Sequence, residues 1–569
     1  MKRRMIAIIL ASVMTVALAA CQSSGNDGTK NDSIPTETGE ENPVETEEVR
    51  SDDEEEQVAG SIEALMELEA DSSRRSTANT NEKYDKITVP NDEISDLQPY
   101  HNLSGAKNAI TIEIYEALFD LTADKELVPR LAKSYKEIDD THFQVEIYDY
   151  ISDSEGNHIT ADDVVFSYQL NQESGYAEDF GFFKSVEAID DYTVEFVWNE
   201  PITSLTALNS MMNYVCIVSE KAYGEHDFAT DPVGTGPYVV DNFTTGVSVT
   251  IKAREDYWQT DELRNELAKA NVEEIEFDIL ADTSMQLIAL ESGSLDYCDI
   301  TTQNLESYIT NDKYNVYSLP NSFNINLLLN YSEDSPCSDL NLRLAIYYAI
   351  DNSTIVEALG SDAYYPCSVN ASRIMSDYDY AWENEENYNT VYDVELAKEY
   401  LEKSSYNGET LVILTNSLEA QKNAATVILG FLQGVGINAE ISVQEPPAVN
   451  GVASDSTAWD LWVNAGTSSS GYAITRTATD LLASMSNNGG CKIFAEDDEL
   501  QTMIDKCNSQ AGYSIEATEA VYDYIHEKAY DYGLFGNIKI YAFTPDFASF
   551  ETWYNSSAFV FGACDYYLD

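Results

Sequence analysis

The chain has 569 residues, with 31 basic against 100 acidic side chains and a formal net charge of -69 at pH 7. A balance this acidic repels nucleic acid and anionic lipid, which excludes both as specific partners, and it favours a solvated surface. The folded part is too long for one hydrophobic core, so two or more domains are expected.

In chain order, Lys2, Arg3 and Arg4 precede an almost unbroken apolar run from Met5 to Leu18, which closes on Leu18-Ala19-Ala20-Cys21. A basic start, a short apolar stretch and small residues make an export signal over residues 1–20. A permanent spanning helix needs about 20 apolar residues and no later window approaches that, so the mature chain is not expected to cross the membrane. Leu-Ala-Ala-Cys resembles the lipobox of bacterial lipoproteins. The resemblance implies that Cys21 is the lipidation site and the mature N-terminus, held at the outer face of the cell membrane by acyl chains.

Composition then changes abruptly. Residues 22–80 lack aromatics and carry acidic clusters at Glu40-Glu41, Glu47-Glu48 and Asp52 to Glu56. Such a segment buries too little apolar surface to offset its ordering entropy, so residues 21–81 are expected to form an acidic tether reaching on the order of 40 Å. Residues 61–70 could form a short amphipathic helix within it.

From Lys86 onward, strand and helix patterns alternate. Asn108 to Phe119 carries Ile110, Ile112, Ile114, Ala117 and Leu118 and is expected to be a helix against a core. Gln144 to Tyr150 and Thr193 to Val197 alternate as strands. Thr160 caps a helix whose first turn holds Asp162 and Asp163. Ser284 to Leu290 is helical and stops at Ser292-Gly293. Further helices are expected at Leu340 to Ala349, Val394 to Leu401 and Leu418 to Phe431, the last ending near Gly434. Mixed segments of this kind indicate an α/β fold class. No internal repeat is evident.

Seven cysteines follow Cys21: Cys216, Cys298, Cys337, Cys367, Cys491, Cys507 and Cys564. Their sequence separation makes Cys337 and Cys367 the foremost candidate pair in a compartment that permits disulfides, and an odd count leaves at least one thiol unpaired. The five histidines are scattered, without His-Glu-x-x-His, and Gly-x-Ser-x-Gly is absent, so neither a metalloprotease nor a hydrolase elbow is supported. Asp153-Ser154-Glu155-Gly156-Asn157 has its glycine misplaced for a calcium loop and Val164 where the twelfth-position glutamate belongs, so it reads as a turn. Neither metal nor cofactor is expected.

Seven blocks occur in a fixed order. Tyr115-Glu116-Ala117-Leu118-Phe119 is followed by Leu127 to Ala132, Thr160 to Tyr168, Pro232-Val233-Gly234-Thr235-Gly236-Pro237-Tyr238, Ala289 to Asp296, Leu342 to Asp351 and Tyr392 to Ala397. The series resembles the oligopeptide- and dipeptide-binding branch of the solute-binding proteins of ABC importers, a family with nickel- and haem-binding members. It implies a two-lobed periplasmic-binding-protein-like fold with a subdomain inserted in the first lobe. By the blocks, residues 82–120, 230–318 and 540–569 form the first lobe, 121–229 its insert and 319–539 the second lobe. Gly234 and Gly236 suit a tight reversal where the insert rejoins the lobe. Arg343 and Asp351 are expected to make surface or interlobe pairs.

The resemblance also implies a ligand at the lobe interface: a peptide or peptide-like molecule, handed by a monomer to membrane permease subunits. An oligosaccharide, a modified or signalling peptide, or a nickel complex is the alternative on the same fold, and a secreted hydrolase is the rival from another class. Relatives often anchor the peptide amine on an aspartate in Gly-Trp-x-x-Asp. Alignment of Trp459-Asp460-Leu461-Trp462-Val463-Asn464-Ala465-Gly466 puts Thr467 at the tryptophan and Ser470 at the aspartate, so that anchor is missing, and an unpaired buried ammonium is costly. Glu116 matches a cleft-facing glutamate and is the expected charged contact. Tyr115, Tyr176, Phe180, Trp459, Trp462, Tyr472 and Tyr541 are the aromatic candidates, with Asn464 and the hydroxyls of Thr467 and Ser470 as polar ones.

Overall fold

The computed structural model describes residues 71–568 apart from 92–95, 101–108, 122–126, 140, 175–182, 200–211, 213–214, 261–262, 361–362, 372–391, 466–496, 508–513 and 554–558. The elements that position the site are, in order, β1 (Tyr84–Asn91), α1 (Thr111–Ile114), β2 (Phe119–Leu121), β3 (Leu127–Pro129), β4 (Ala132–Asp139), β5 (His142–Ile147), α2 (Ala161–Ser174), β6 (Phe183–Asp190), β7 (Thr193–Trp198), β8 (Tyr238–Thr244), β9 (Ser248–Ala253), β10 (Val272–Ile279), α3 (Thr283–Ser292), β11 (Tyr297–Ile300), α4 (Thr302–Ile309) and β12 (Asn315–Leu329). Then follow α5 (Leu340–Ala349), α6 (Asn352–Leu359), β13 (Tyr364–Pro366), α7 (Val394–Lys403), β14 (Leu411–Asn416), α8 (Glu419–Val435), β15 (Ala439–Gln444), α9 (Pro446–Ala453), β16 (Leu461–Ala465), α10 (Asp498–Cys507), α11 (Ile515–Lys528) and β17 (Asp531–Phe543).

Local chemistry sets most helix ends. Thr160 N and Oγ1 donate to Asp163 Oδ2 at 2.8 and 2.9 Å, which closes the first turn of α2. Asp282, Asp339, Asp351 and Asp393 cap α3, α5, α6 and α7 through their carboxylates. Gly293 ends α3 at φ 75°, in the left-handed region that glycine enters at little cost. Helix α8 runs through Gly434 and stops at Gly436, φ 99°, two residues beyond the expected end. The expected helix over Asn108 to Phe119 shrinks to the single turn α1, because Tyr115 turns extended and Glu116 bridges Ile217. Ile110, Ile112 and Ile114 keep the helical course, and the chain leaves it only from Tyr115, where Glu116 pairs with Ile217.

Four sheets result. Strands β1-β10-β9-β8 make one, β4-β5-β7-β6 a second in the inserted region, and β2-β3 a third. The largest orders β11-β17-β12-β16-β14-β15, with β13 on the edge of β17. Within it β12 and β17 are long antiparallel partners from Asn315↔Phe543 to Leu328↔Asp531, so both strands serve two halves of the molecule. Toward Phe543, β17 carries β11, and toward Asp531 it carries β13 while β12 carries β16.

Separate cores flank these strands. Ile325, Leu327, Leu329, Leu461 and Val463 point into one that also holds Leu342, Ile346, Ile428 and Leu432 from the covering helices. On the opposite face, Leu328, Leu414 and Trp462 pack with Val449, Ala453 and Trp459. The core built on β4, β5, β6 and β7 also takes in Trp258, Leu267 and Trp553 from later in the chain. Residues 71–81, expected to belong to the tether, are instead pinned to the chain end: Thr77 N donates to Tyr566 O at 2.9 Å, and the Arg74 guanidinium lies 3.9 Å over the Tyr567 ring.

Candidate ligand cleft and its supporting residues

The carboxyl ends of β14, β15 and β16 lie together on the second half, and open α/β sheets bind ligands outside such ends. Strand β16 ends at Ala465, beside Ile325 of β12. Where β11 and β13 abut on the same edge of β17, a notch is lined by Asp299, Thr301, Thr302, Tyr364, Asn537 and Lys539. Lys539 Nζ stands 3.8 Å from Asp299 Oδ2 there, both partly exposed, so the pair adds little stability.

The structure redistributes the expected site residues. Glu116 does not offer its carboxylate to a ligand: its side chain is fully buried, with Oε1 accepting from Arg130 Nε and Tyr257 Oη at 2.5 Å each and Oε2 from Trp258 Nε1 at 2.8 Å. Arg130 also donates to Asp120 Oδ2 at 2.9 Å, and Asn265 Nδ2 reaches the same oxygen at 2.8 Å. This closed network ties the start of the inserted region to the segment that follows it. Tyr115 is core, its hydroxyl donating to Leu97 O at 2.8 Å and its ring stacked with Phe228. Tyr541 is fully buried among Tyr297, Phe543 and Phe559. Trp459 donates to Ala453 O at 3.0 Å and meets Trp462 edge-on, so both indoles pack beneath the sheet instead of forming a ligand platform. Partners take up the polar atoms of Glu116 and Tyr115, and Tyr541, Trp459 and Trp462 are buried among other side chains.

Asn464 is different. It lies half-buried near the end of β16, in register with Asn326 of β12. Tyr176, Phe180, Thr467, Ser470, Tyr472 and Cys21 lie outside the described residues.

Other expectations also change. Arg343 and Asp351 do not pair. Arg343 is buried, donating to Lys528 O, Cys337 O and Ser338 O at 2.9, 2.7 and 3.0 Å, while Asp351 caps α6. Cys337 and Cys367 are not bonded to each other; both are buried, and Cys367 Sγ donates to Asn324 Oδ1 at 3.3 Å. Gly234 and Gly236 are required by close approach, not by backbone angle: a Cβ on Gly234 would sit 2.1 Å from Ile114 O and one on Gly236 2.5 Å from Glu113 O. Asp153 Oδ1 accepts from the backbone N of Glu155 and Asn157 at 3.0 and 2.8 Å, the turn expected there. Among the described residues no group of three or more His, Cys, Asp or Glu is placed to hold a metal ion, and no helix is long and apolar enough to cross a membrane.

Sequence reasoning missed a polar row on the face that carries Trp462. Asp531 Oδ1 accepts from Asn326 Nδ2 at 2.5 Å and Oδ2 from Asn370 Nδ2 at 2.7 Å. Burial pushes the Asp531 carboxyl up to about 7, against the pull of those hydrogen bonds. Asn324 Nδ2 donates to Val369 O and Ala371 O at 2.9 and 2.8 Å, fixing the segment that bears Asn370. The available signal was the alternation Asn324, Asn326 inside the otherwise apolar stretch from Phe323 to Leu329.

The pattern that describes the middle region of the bacterial extracellular solute-binding proteins, family 5, matches residues 126–488. The chain belongs to this family. The family 5 protein is 23% identical over 359 residues to the oligopeptide-binding protein OppA of Bacillus subtilis, a match covering 58% of this chain and 63% of that one. Its fold matches the ABC transporter substrate-binding protein CtaP of Listeria monocytogenes with a TM-score of 0.67 at 20% identity, over 82% of this chain and 95% of that one. It also matches the oligopeptide-binding protein AppA of Bacillus subtilis, solved in complex with a nonapeptide, with a TM-score of 0.62 at 17% identity over 86% of this chain and 100% of that one. The family 5 protein thus shares the mixed α/β, two-lobed architecture of periplasmic binding proteins, and β12 with β17 are the strands common to its two halves.

Proposed function

We propose that this chain is the substrate-binding component of an ABC importer, and that it captures peptides outside the cell between its two lobes and passes them to permease subunits without chemical change. The observation that carries the reading is the pair β12 and β17, continuous through both halves and flanked by the carboxyl ends of β14–β16, since a domain hinged on two strands can close on a ligand. Peptide as the ligand class is supported by the names of the oligopeptide-binding relatives, whose sequence match covers less than two thirds of OppA. In the same proposal, residues 82–120, 230–318 and 540–569 form the first lobe, 121–229 its insert, 319–539 the second lobe, and Cys21 carries the lipid that holds the protein, as a monomer, at the outer membrane face.

Mass spectrometry of material purified under native conditions from the host tests this reading. Co-purified peptides are the expected result. A metal complex or a sugar in their place overturns the peptide assignment, and turnover of peptide or ester substrates overturns the binding role. Labelling with a radioactive fatty acid in the wild type, lost in Cys21→Ser, tests the anchor.

A further inference from the structure

The buried polar row beside β16 includes acceptors that lack donors. Asn326 and Asn370 each donate an amide N–H to Asp531, and their Oδ1 atoms are buried without a hydrogen-bond partner. A buried acceptor left unpaired costs about 1–3 kcal/mol, so the arrangement has two amide oxygens short of a donor. It is short of positive charge as well. Asp531 is 3% exposed and has no ion-pair partner among the described residues. The buried guanidinium of the same half, on Arg343, is committed to three backbone carbonyls and stands over the Tyr331 and Tyr530 rings. Burial without a cation is what lifts the Asp531 carboxyl to about 7.

Two amides of the row are half-buried. Asn370 covers Asp531 from the segment after β13, and Asn464 stands beside Asn326 in strand register, its amide without a hydrogen-bond partner among the described residues. Both are followed within two residues by stretches beyond the described chain, so no further element is assigned to the recess.

We infer that Asn326, Asn370, Asn464 and Asp531 form a recess that receives a primary ammonium group of the ligand. An ammonium brings three donors and one positive charge, which matches two orphaned amide oxygens and one carboxylate, and charge-assisted bonds of this kind are the strong ones. The inference rests on the peptide reading above. A peptide can supply the group from its free α-amine or from a lysine side chain.

Calorimetry on the full folded chain with three probes tests it: pentaalanine, N-acetylpentaalanine, and an N-acetyl pentapeptide with a single central lysine. The wild type is expected to bind at least one ammonium-bearing probe ten-fold or more tightly than N-acetylpentaalanine. A preference for pentaalanine assigns the α-amine, and a preference for the lysine probe assigns the side chain. Asp531→Asn is expected to erase that preference, with its circular dichroism and melting checked against the wild type. Asn464→Ala, at a half-buried position that tolerates truncation, is expected to reduce the preference several-fold and serves if Asp531→Asn does not fold. Peptide binding in which both variants keep the wild-type preference, or in which no preference exists, overturns the recess and leaves the peptide reading standing. No binding of any probe by the wild type overturns both.

Discussion

Arg130 Nε donates to Glu116 Oε1 at 2.5 Å with both side chains inside the protein, 3% and 0% exposed. Removing one member of a buried pair strands the other charge, which typically costs 3–5 kcal/mol. Glu116→Ala is therefore expected to lower the free energy of unfolding by about 3–5 kcal/mol, measured by urea denaturation. Loss of ligand affinity in a variant that keeps wild-type stability would return Glu116 to the cleft.

The loop that carries Gly234 and Gly236 lies directly on the backbone of Glu113 and Ile114, with Gly236 N donating to Ile114 O at 2.8 Å. Arg254 clamps the same loop from outside, its Nη1 within 3.1 Å of the Thr235 and Gly236 oxygens. Gly234→Ala should consequently melt well below Gly156→Ala. The second glycine has φ 77° but nothing within 4 Å of an added Cβ, so only backbone strain of about 1–2 kcal/mol is expected there. Equal melting temperatures for the two variants would contradict the close approach.

Alkaline pH should destabilise the protein. Burial raises the carboxyls of Glu113 to about 8 and of Asp531 and Glu551 to about 7. A group whose pKa is higher folded than unfolded binds more protons in the folded state, so its contribution is complete below the unfolded value and is lost as pH climbs through the folded one. For Glu113 that window runs from the ordinary 4.5 up to about 8, with a slope near 1.4 kcal/mol for each pH unit. Glu113→Gln is expected to flatten the limb between pH 5 and 8 in chemical denaturation series, and an unchanged slope would rule out this assignment.

His526 works at the other end. Burial lowers it from 6.5 to about 4. The unfolded chain then binds the extra proton first, and stability falls as pH drops from the unfolded value toward the folded one. A variant with Gln at this position should lose less stability between pH 6.5 and 4 than the wild type, read from thermal melts across that range.

Arg343 links α5 to the end of α11 through Lys528 O and holds the short turn at Cys337 and Ser338. Because a planar fork makes those three bonds, lysine cannot reproduce them. Arg343→Lys is expected to destabilise by about 1–3 kcal/mol, the cost of leaving buried carbonyls unpaired. A fully wild-type denaturation midpoint would show that water replaces the guanidinium.

Much of the fold was legible because its signals are short-range. Thr160 with Asp163, Asp282 with Met285 and Asp393 with Leu396 are three residues apart, and Gly293 needs only its own backbone angle. Period-two alternation likewise located β5 and β7 to within three residues. The helix expected at Asn108 stops after Ile114, where Tyr115 turns extended and Glu116 pairs with Ile217, far along the chain.

The candidate site was legible only in part. Asn464 stays half-buried near the end of β16, whereas Trp459 and Trp462 pack against each other and Glu116 was taken up by Tyr257 and Trp258, 141 and 142 residues away. A cysteine pair chosen by separation alone proved to be two separately buried thiols.

Sequence alone settled the α/β class, the helix caps and the ordered blocks of family 5, since each depends on neighbours along the chain or on a series of short stretches. Tertiary structure decided which charged and aromatic side chains stay available. Burial and pairing are properties of what packs around a residue, and for Glu116 and Asp531 those neighbours come from segments that no local pattern connects.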